Sequence, residues 1–262
     1  MRSHPLLWFY LLAFIISWLG WLPVAAGSHG ISPFDQPAFQ VLLLLPAVGP
    51  AAAAGIVVWS NEGSQAARHL FGALFRWWAG RRWLAVVILL PALVHLGSHV
   101  VTRVPGFQSA AQAPGGAAVA VAAFVVALVS NPWEEVGWRG FALPRLQQRY
   151  SALTASLMVG VLWALWHLPL FLWADNPMSR YPFVPWLIGV LADSVIYTWL
   201  FNSTRGSLSA VALFHILTNA YGPILPRGTV VSTAIVVCFV AAILIGLYGR
   251  DHLARGERVV AM

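Results

Sequence analysis

Long apolar stretches alternate with short polar separators along the whole chain. A membrane-spanning helix needs about 20 mainly apolar residues. The pattern predicts eight such spans: Leu6–Ala26, Phe39–Ser60, Trp83–Val100, Ala117–Phe141, Leu153–Ala174, Val184–Asn202, Ser207–Leu225 and Thr229–Gly249. The separators carry turn formers, among them Gly27-Ser28-His29-Gly30, Val104-Pro105-Gly106, Pro114-Gly115-Gly116, Asp175-Asn176-Pro177 and Pro226-Arg227-Gly228. In the longest separator, Ala66–Trp78 reads as an interfacial helix with Leu70, Leu74 and Trp77 on one side. The expected fold is all-α and polytopic, one integral membrane domain over residues 1–262.

Composition agrees with lipid as the main solvent. Of 262 residues, 60% are hydrophobic and 9% are charged, where soluble domains carry about 25% charged residues. All 15 basic residues are Arg. They lie between apolar stretches with no basic stripe, so the net charge of +7 reads as a topology signal and not as a nucleic-acid footprint. With the N-terminus inside, the inner loops hold Arg2, Arg68, Arg76, Arg81, Arg82, Arg145, Arg149, Arg205, Arg250, Arg255 and Arg258, against Arg103, Arg180 and Arg227 outside. Both termini are therefore expected in the cytoplasm. The run Leu6–Ala26 exceeds the roughly 7–15 residues of a signal-peptide core and is read as a retained helix. The one cysteine, Cys238, lies in an apolar run and reads as packing; the C-terminal Val259-Val260-Ala261-Met262 lacks the Cys of a prenylation box.

Ionisable groups inside spans cost roughly 2.5–3.5 kcal/mol each on insertion scales and mark functional sites. Three groups stand out: Glu134-Glu135-Val136-Gly137-Trp138-Arg139 in the fourth span, Trp163 to His167 in the fifth, and His215 to Asn219 in the seventh. Glu135 and Arg139 share a helix face in the favourable acid-first order, which leaves Glu134 to face a cavity as a candidate base. His215 and Asn219, also four apart, offer two donors on one side, as an oxyanion hole requires. Helix rise puts Glu134 roughly 10–12 Å from the inner end of its span, but His167 about 21 Å from its own, so the fifth span must tilt or start lower. Asp193 in the sixth span reads as a supporting residue. His95 and His99 form an i,i+4 pair able in principle to bind a metal, though an interfacial polar pair is the simpler reading.

The stretch Glu134-Glu135-x-x-x-Arg139, continued as Gly140-Phe141-Ala142-Leu143-Pro144-Arg145-Leu146, resembles the first signature of the CPBP family, the CAAX-protease-like or Abi membrane proteins. Trp163-x-x-x-His167 resembles the second, where Phe usually stands for Trp163, and His215-x-x-x-Asn219 the last. The resemblance spans residues 130–220, the expected catalytic core, and places the active site between the fourth, fifth and seventh spans. It implies an intramembrane endopeptidase in which Glu134 and His167 activate water, and His215 and Asn219 stabilise the oxyanion. Glu135, Arg139, Trp163 and Asp193 would support the site. A metal-free mechanism without cofactor is preferred; the alternative is a zinc site of Glu134, His167 and His215. A non-catalytic immunity or scaffold protein of the same fold is the other alternative. The expected partners are the lipid bilayer and a membrane-associated peptide or protein, and the expected location is a bacterial inner membrane.

Overall fold

A computed structural model describes residues 1–77, 79–104, 116–226 and 228–261. The separators at 105–106 and 114–115, Arg227, the expected helix end at Trp78 and the terminal Met262 lie outside the described residues. The described residues contain helices and no strand. The long helices are α1 (Pro5–Gly27), α2 (Leu44–Glu62, entered through a 3-10 segment Pro37–Leu43), α4 (Arg81–Val101), α5 (Ala117–Glu135), α7 (Ala152–Trp166), α9 (Phe183–Ser203), α10 (Leu208–Tyr221) and α11 (Val230–Tyr248). Shorter pieces are α3 (Ser64–Gly72), α6 (Leu143–Gln147) and α8 (Leu168–Leu172).

Among the described residues, seven helical stretches are long and apolar enough to cross a bilayer. The seventh expected span, Ser207–Leu225, is helical only over the 14 residues of α10, roughly 21 Å of rise and short of a 30 Å hydrocarbon core. α10 packs against α4, α5 and α9, so its backbone runs inside the bundle and needs no full lipid-facing length.

Two expectations change. The helix at Ala66–Trp78 ends earlier, as α3 followed by a 3-10 turn Ala73–Phe75. Leu70 and Leu74 are buried in the core rather than laid on a lipid surface, while Trp77 is exposed. The fourth span does not stop at Phe141. α5 passes without a break through a π-helical segment, Val136–Ala142, into α6 and ends at Gln147. Glu134 therefore lies 13 residues from the helix end, roughly 20 Å, and His167 lies 15 residues from the start of α7, roughly 22 Å. The mismatch in depth expected from Phe141 as the end disappears once the helix is continued.

Close backbone approach fixes how the motif helix sits. A Cβ added at Gly137 would fall 2.6 Å from Pro50 Cβ and 2.8 Å from its carbonyl oxygen, so only glycine lets α2 come this near. Small residues serve α7 and α9 in the same way: Gly160 faces Leu191 and Ser194, and Ser194 Oγ donates to the Ser156 carbonyl at 2.8 Å. At the Arg-rich end, Gln147 and Asn202 bond each other through both amides, and the C-terminal tail lies across them. Val259 O accepts from Gln147 Nε2, Val259 N donates to Asn202 Oδ1, and Arg258 Nε donates to Gln147 O.

Candidate active site

The polar residues singled out in α5, α7 and α10 meet inside the bundle around one indole. Asn131, Glu134 and Glu135 occupy one buried stripe at the end of α5, in an otherwise lipid-facing helix of Ala and Val. Trp163 Nε1 donates to Glu134 Oε2 at 3.0 Å. The Trp163 ring centroid lies 5.7 Å from the ring of His167 and 5.5 Å from that of His215. The Arg139 guanidinium sits over the same ring at 4.7 Å and over Tyr197 at 4.4 Å.

Glu135 and Arg139 pair as their spacing predicts. Arg139 Nη1 donates to Glu135 Oε1 at 3.0 Å and to Oε2 at 3.2 Å, with both side chains fully buried. The π-helical turn carries Arg139 into the core between the two rings, and all seven of its residues are buried. Such turns are frequent at functional sites.

His215 does more than its place in an oxyanion hole suggested. Its Nδ1 lies 2.8 Å from Glu135 Oε1. A carboxylate only accepts, so Nδ1 carries the proton and Nε2 is left free. Asn131 Nδ2 donates to the His215 carbonyl at 3.1 Å, a second tie between α5 and α10. Asn219, one turn beyond His215, is exposed, while His215 is buried.

His167 stands at the end of α7, where Pro169 opens α8. Its Nδ1 lies 2.8 Å from the Trp163 carbonyl, so Nδ1–H donates and Nε2 is again the free nitrogen. Its ring is also packed against Trp21, Trp166 and Trp186. Asp193, on α9, is half-buried within electrostatic reach of His215 and Arg139.

As placed, Glu134, His167 and His215 do not form a group that could hold a metal ion, nor do any other three His, Cys, Asp or Glu residues among those described. The pair His95 and His99 is divided between two tasks. His95 Nε2 lies 2.9 Å from the Thr218 carbonyl of α10, and His99 Nε2 lies 3.3 Å from Arg103 Nη2.

Two residues of the cluster escaped the sequence reading. Tyr197 is buried between Arg139 and His215, its ring 5.4 Å from the imidazole. Its signal was its spacing, four residues after Asp193 on one helix face. Asn131 lay at i−3 from Glu134 and carried the same kind of signal.

Fold and cluster together define a polytopic α-helical membrane protein in which two carboxylates, a guanidinium and two imidazoles gather around one indole. Residues 116–221 match the family model for type II CAAX prenyl endopeptidases, described as Rce1-like. The chain is also similar to a curated "CAAX prenyl protease 2" of Methanococcus maripaludis, with 26% identity over 83% of each chain. Both matches agree with the resemblance carried by the three motifs, to the CAAX-protease-like membrane proteases.

Proposed function

We propose that the chain is an endopeptidase that cuts a peptide bond of a membrane-associated protein or peptide, with Glu134 as the base that activates water. One observation carries this reading: the indole that holds Glu134 Oε2 also contacts both imidazoles, so three acid–base groups from three helices surround one point. Glu134 Oε1 is left to take the proton of a water molecule, with His167 Nε2 as the second acceptor beside it. The hydroxide formed adds to the scissile carbonyl. His215, held by Glu135 through Nδ1, is the first group we assign to the resulting oxyanion, on the Nε2 side of its ring. Asn219 Nδ2 is the second. The proton held by Glu134 then passes to the leaving amine as the C–N bond breaks.

We assign residues 130–220 to the catalytic core and place the protein in a plasma membrane with both termini on the cytoplasmic side, following the arginine bias. A prenylated C-terminal segment, the substrate type in the relative's name, belongs to the class proposed. The test is Glu134→Ala and His167→Ala in a reconstituted cleavage assay, with fragments read by mass spectrometry. Loss of cutting with peptide binding retained is expected. Unchanged cutting overturns the assignment, and stoichiometric zinc required for turnover overturns the metal-free mechanism.

A further inference from the structure

We propose that a second site, apart from the buried cluster, holds the phosphate of an anionic lipid headgroup in a cleft between the start of α4 and the end of α9. The cleft encloses about 540 Å³, and its walls include Arg81, Arg82 and Arg205 together with Gly80, Trp83 and Ser203. Three arginines from two elements far apart in sequence thus line one cleft. Two other arginines, Arg139 and Arg145, have acidic partners, in Glu135 and Glu62. Among the described residues, the three in this cleft form no ion pair and no side-chain hydrogen bond; Arg82 only lies over the Trp83 ring, at 5.6 Å. Ser203 adds a buried Oγ that has no hydrogen-bond partner.

The arginines are not there to cap α9. Its last carbonyls are used in its own final turn. Leu200 O accepts from Thr204 N, Phe201 O from Gly206 N, and Asn202 O from Arg205 N. Arg205 and Gly206 both take positive φ angles to close that turn. α4, in contrast, begins at Arg81 behind Gly80 with no side chain capping its first N–H groups. A helix start of this kind adds to the attraction for an anion already set by the three charges. Guanidinium groups match phosphate oxygens in pairs, which an isolated ammonium does not.

Position decides for a lipid over a soluble phosphate. Arg81 is the first residue of one helix able to span a bilayer and Ser203 the last of another, so the cleft lies at headgroup level. Phe75 and Trp77, 78% and 41% exposed, stand just before α4 as interfacial aromatics. Leu84 and Ile88 are exposed one and two turns along α4 from the cleft, a track for an acyl chain attached to the bound phosphate.

Native mass spectrometry of the full chain in detergent, with phosphatidylglycerol or phosphatidylcholine added, tests the site. Retention of phosphatidylglycerol over phosphatidylcholine is expected. Its apparent affinity should fall about fivefold for each arginine lost in Arg81→Gln/Arg82→Gln/Arg205→Gln, and stay unchanged in Arg149→Gln/Arg255→Gln at the same end. If the triple variant does not fold, Arg82→Gln alone is read by the same fivefold criterion. Equal retention by the variants, equal retention of the two lipids, or displacement of the lipid by millimolar inorganic phosphate would each overturn the proposal, the last by showing a site for free anions.

Discussion

His215 Nδ1 and Glu135 Oε1 lie 2.8 Å apart, and this bond joins α10 to the end of α5 inside the bundle. The same carboxylate holds Arg139. One acidic group therefore fixes a guanidinium and an imidazole at once. Removing one partner of a buried ion pair costs about 3–5 kcal/mol because a charge is left alone, whereas replacing both with apolar groups costs far less. Glu135→Leu should lower thermal stability strongly, and Glu135→Leu/Arg139→Met should recover much of it. Melting of the purified variants in one detergent checks this; equal loss in both would show that the charges do not act as a pair.

Trp163→Phe separates the two tasks of the indole. The aromatic contacts with His167, His215 and Arg139 remain, while the donor to Glu134 is lost. A hydrogen bond to a charged group contributes about 1.5–3 kcal/mol. Phe is the usual residue of the resembling motif, so the drop in turnover should sit near the small end, about tenfold, with the melting temperature nearly kept. Trp163→Ala loses both contributions and should abolish turnover. Rates on one model substrate, measured beside melting curves, decide between a positioning role and a packing role.

Gly137→Ala places a methyl group against Pro50 at 2.6 Å from its Cβ and 2.8 Å from its carbonyl oxygen. Overpacking of this kind costs about 1–3 kcal/mol. Lower melting is expected, together with reduced turnover, because α2 braces the helix that carries Glu134 and Arg139. Gly116→Ala, which meets nothing within 4 Å, is the neutral control.

Asn202→Leu removes the amide that bonds Gln147, the His252 carbonyl and Val259 N. Each buried polar group left unpaired costs about 1–3 kcal/mol. The tail beyond Gly249 should detach first, so limited proteolysis of the variant should release a C-terminal fragment under conditions that leave the parent chain whole.

The spans were legible because apolar runs of about 20 residues have few other uses. Observed helices such as Phe183–Ser203 and Val230–Tyr248 begin and end within one residue of the bounds read from hydropathy. The Glu135–Arg139 pair was legible from its i,i+4 spacing. What stayed hidden depends on contacts between helices. Nothing local in α5 announces that it continues to Gln147, since Arg139 and Arg145 look like the polar edge of a span until their partners are known. Arg139 is covered by two aromatic rings, and Arg145 reaches Glu62 on another helix at 2.7 Å. The link from His215 to Glu135 crosses 80 positions and has no periodic trace. Asn219 was aligned with His215 by spacing alone, yet the helix neighbours bury one and leave the other exposed.

The widened turn at Val136–Ala142 fits about one residue more into a winding than an α-helix does. Such a turn absorbs an insertion without rotating what precedes it. Deleting a single position between Glu135 and Arg139 would let the coil close to an α-helix with Glu134 and the residues beyond Ala142 near their present directions, but would cut the spacing of the buried Glu135–Arg139 pair from four residues to three. The length of this stretch, and not only its letters, therefore belongs to the motif.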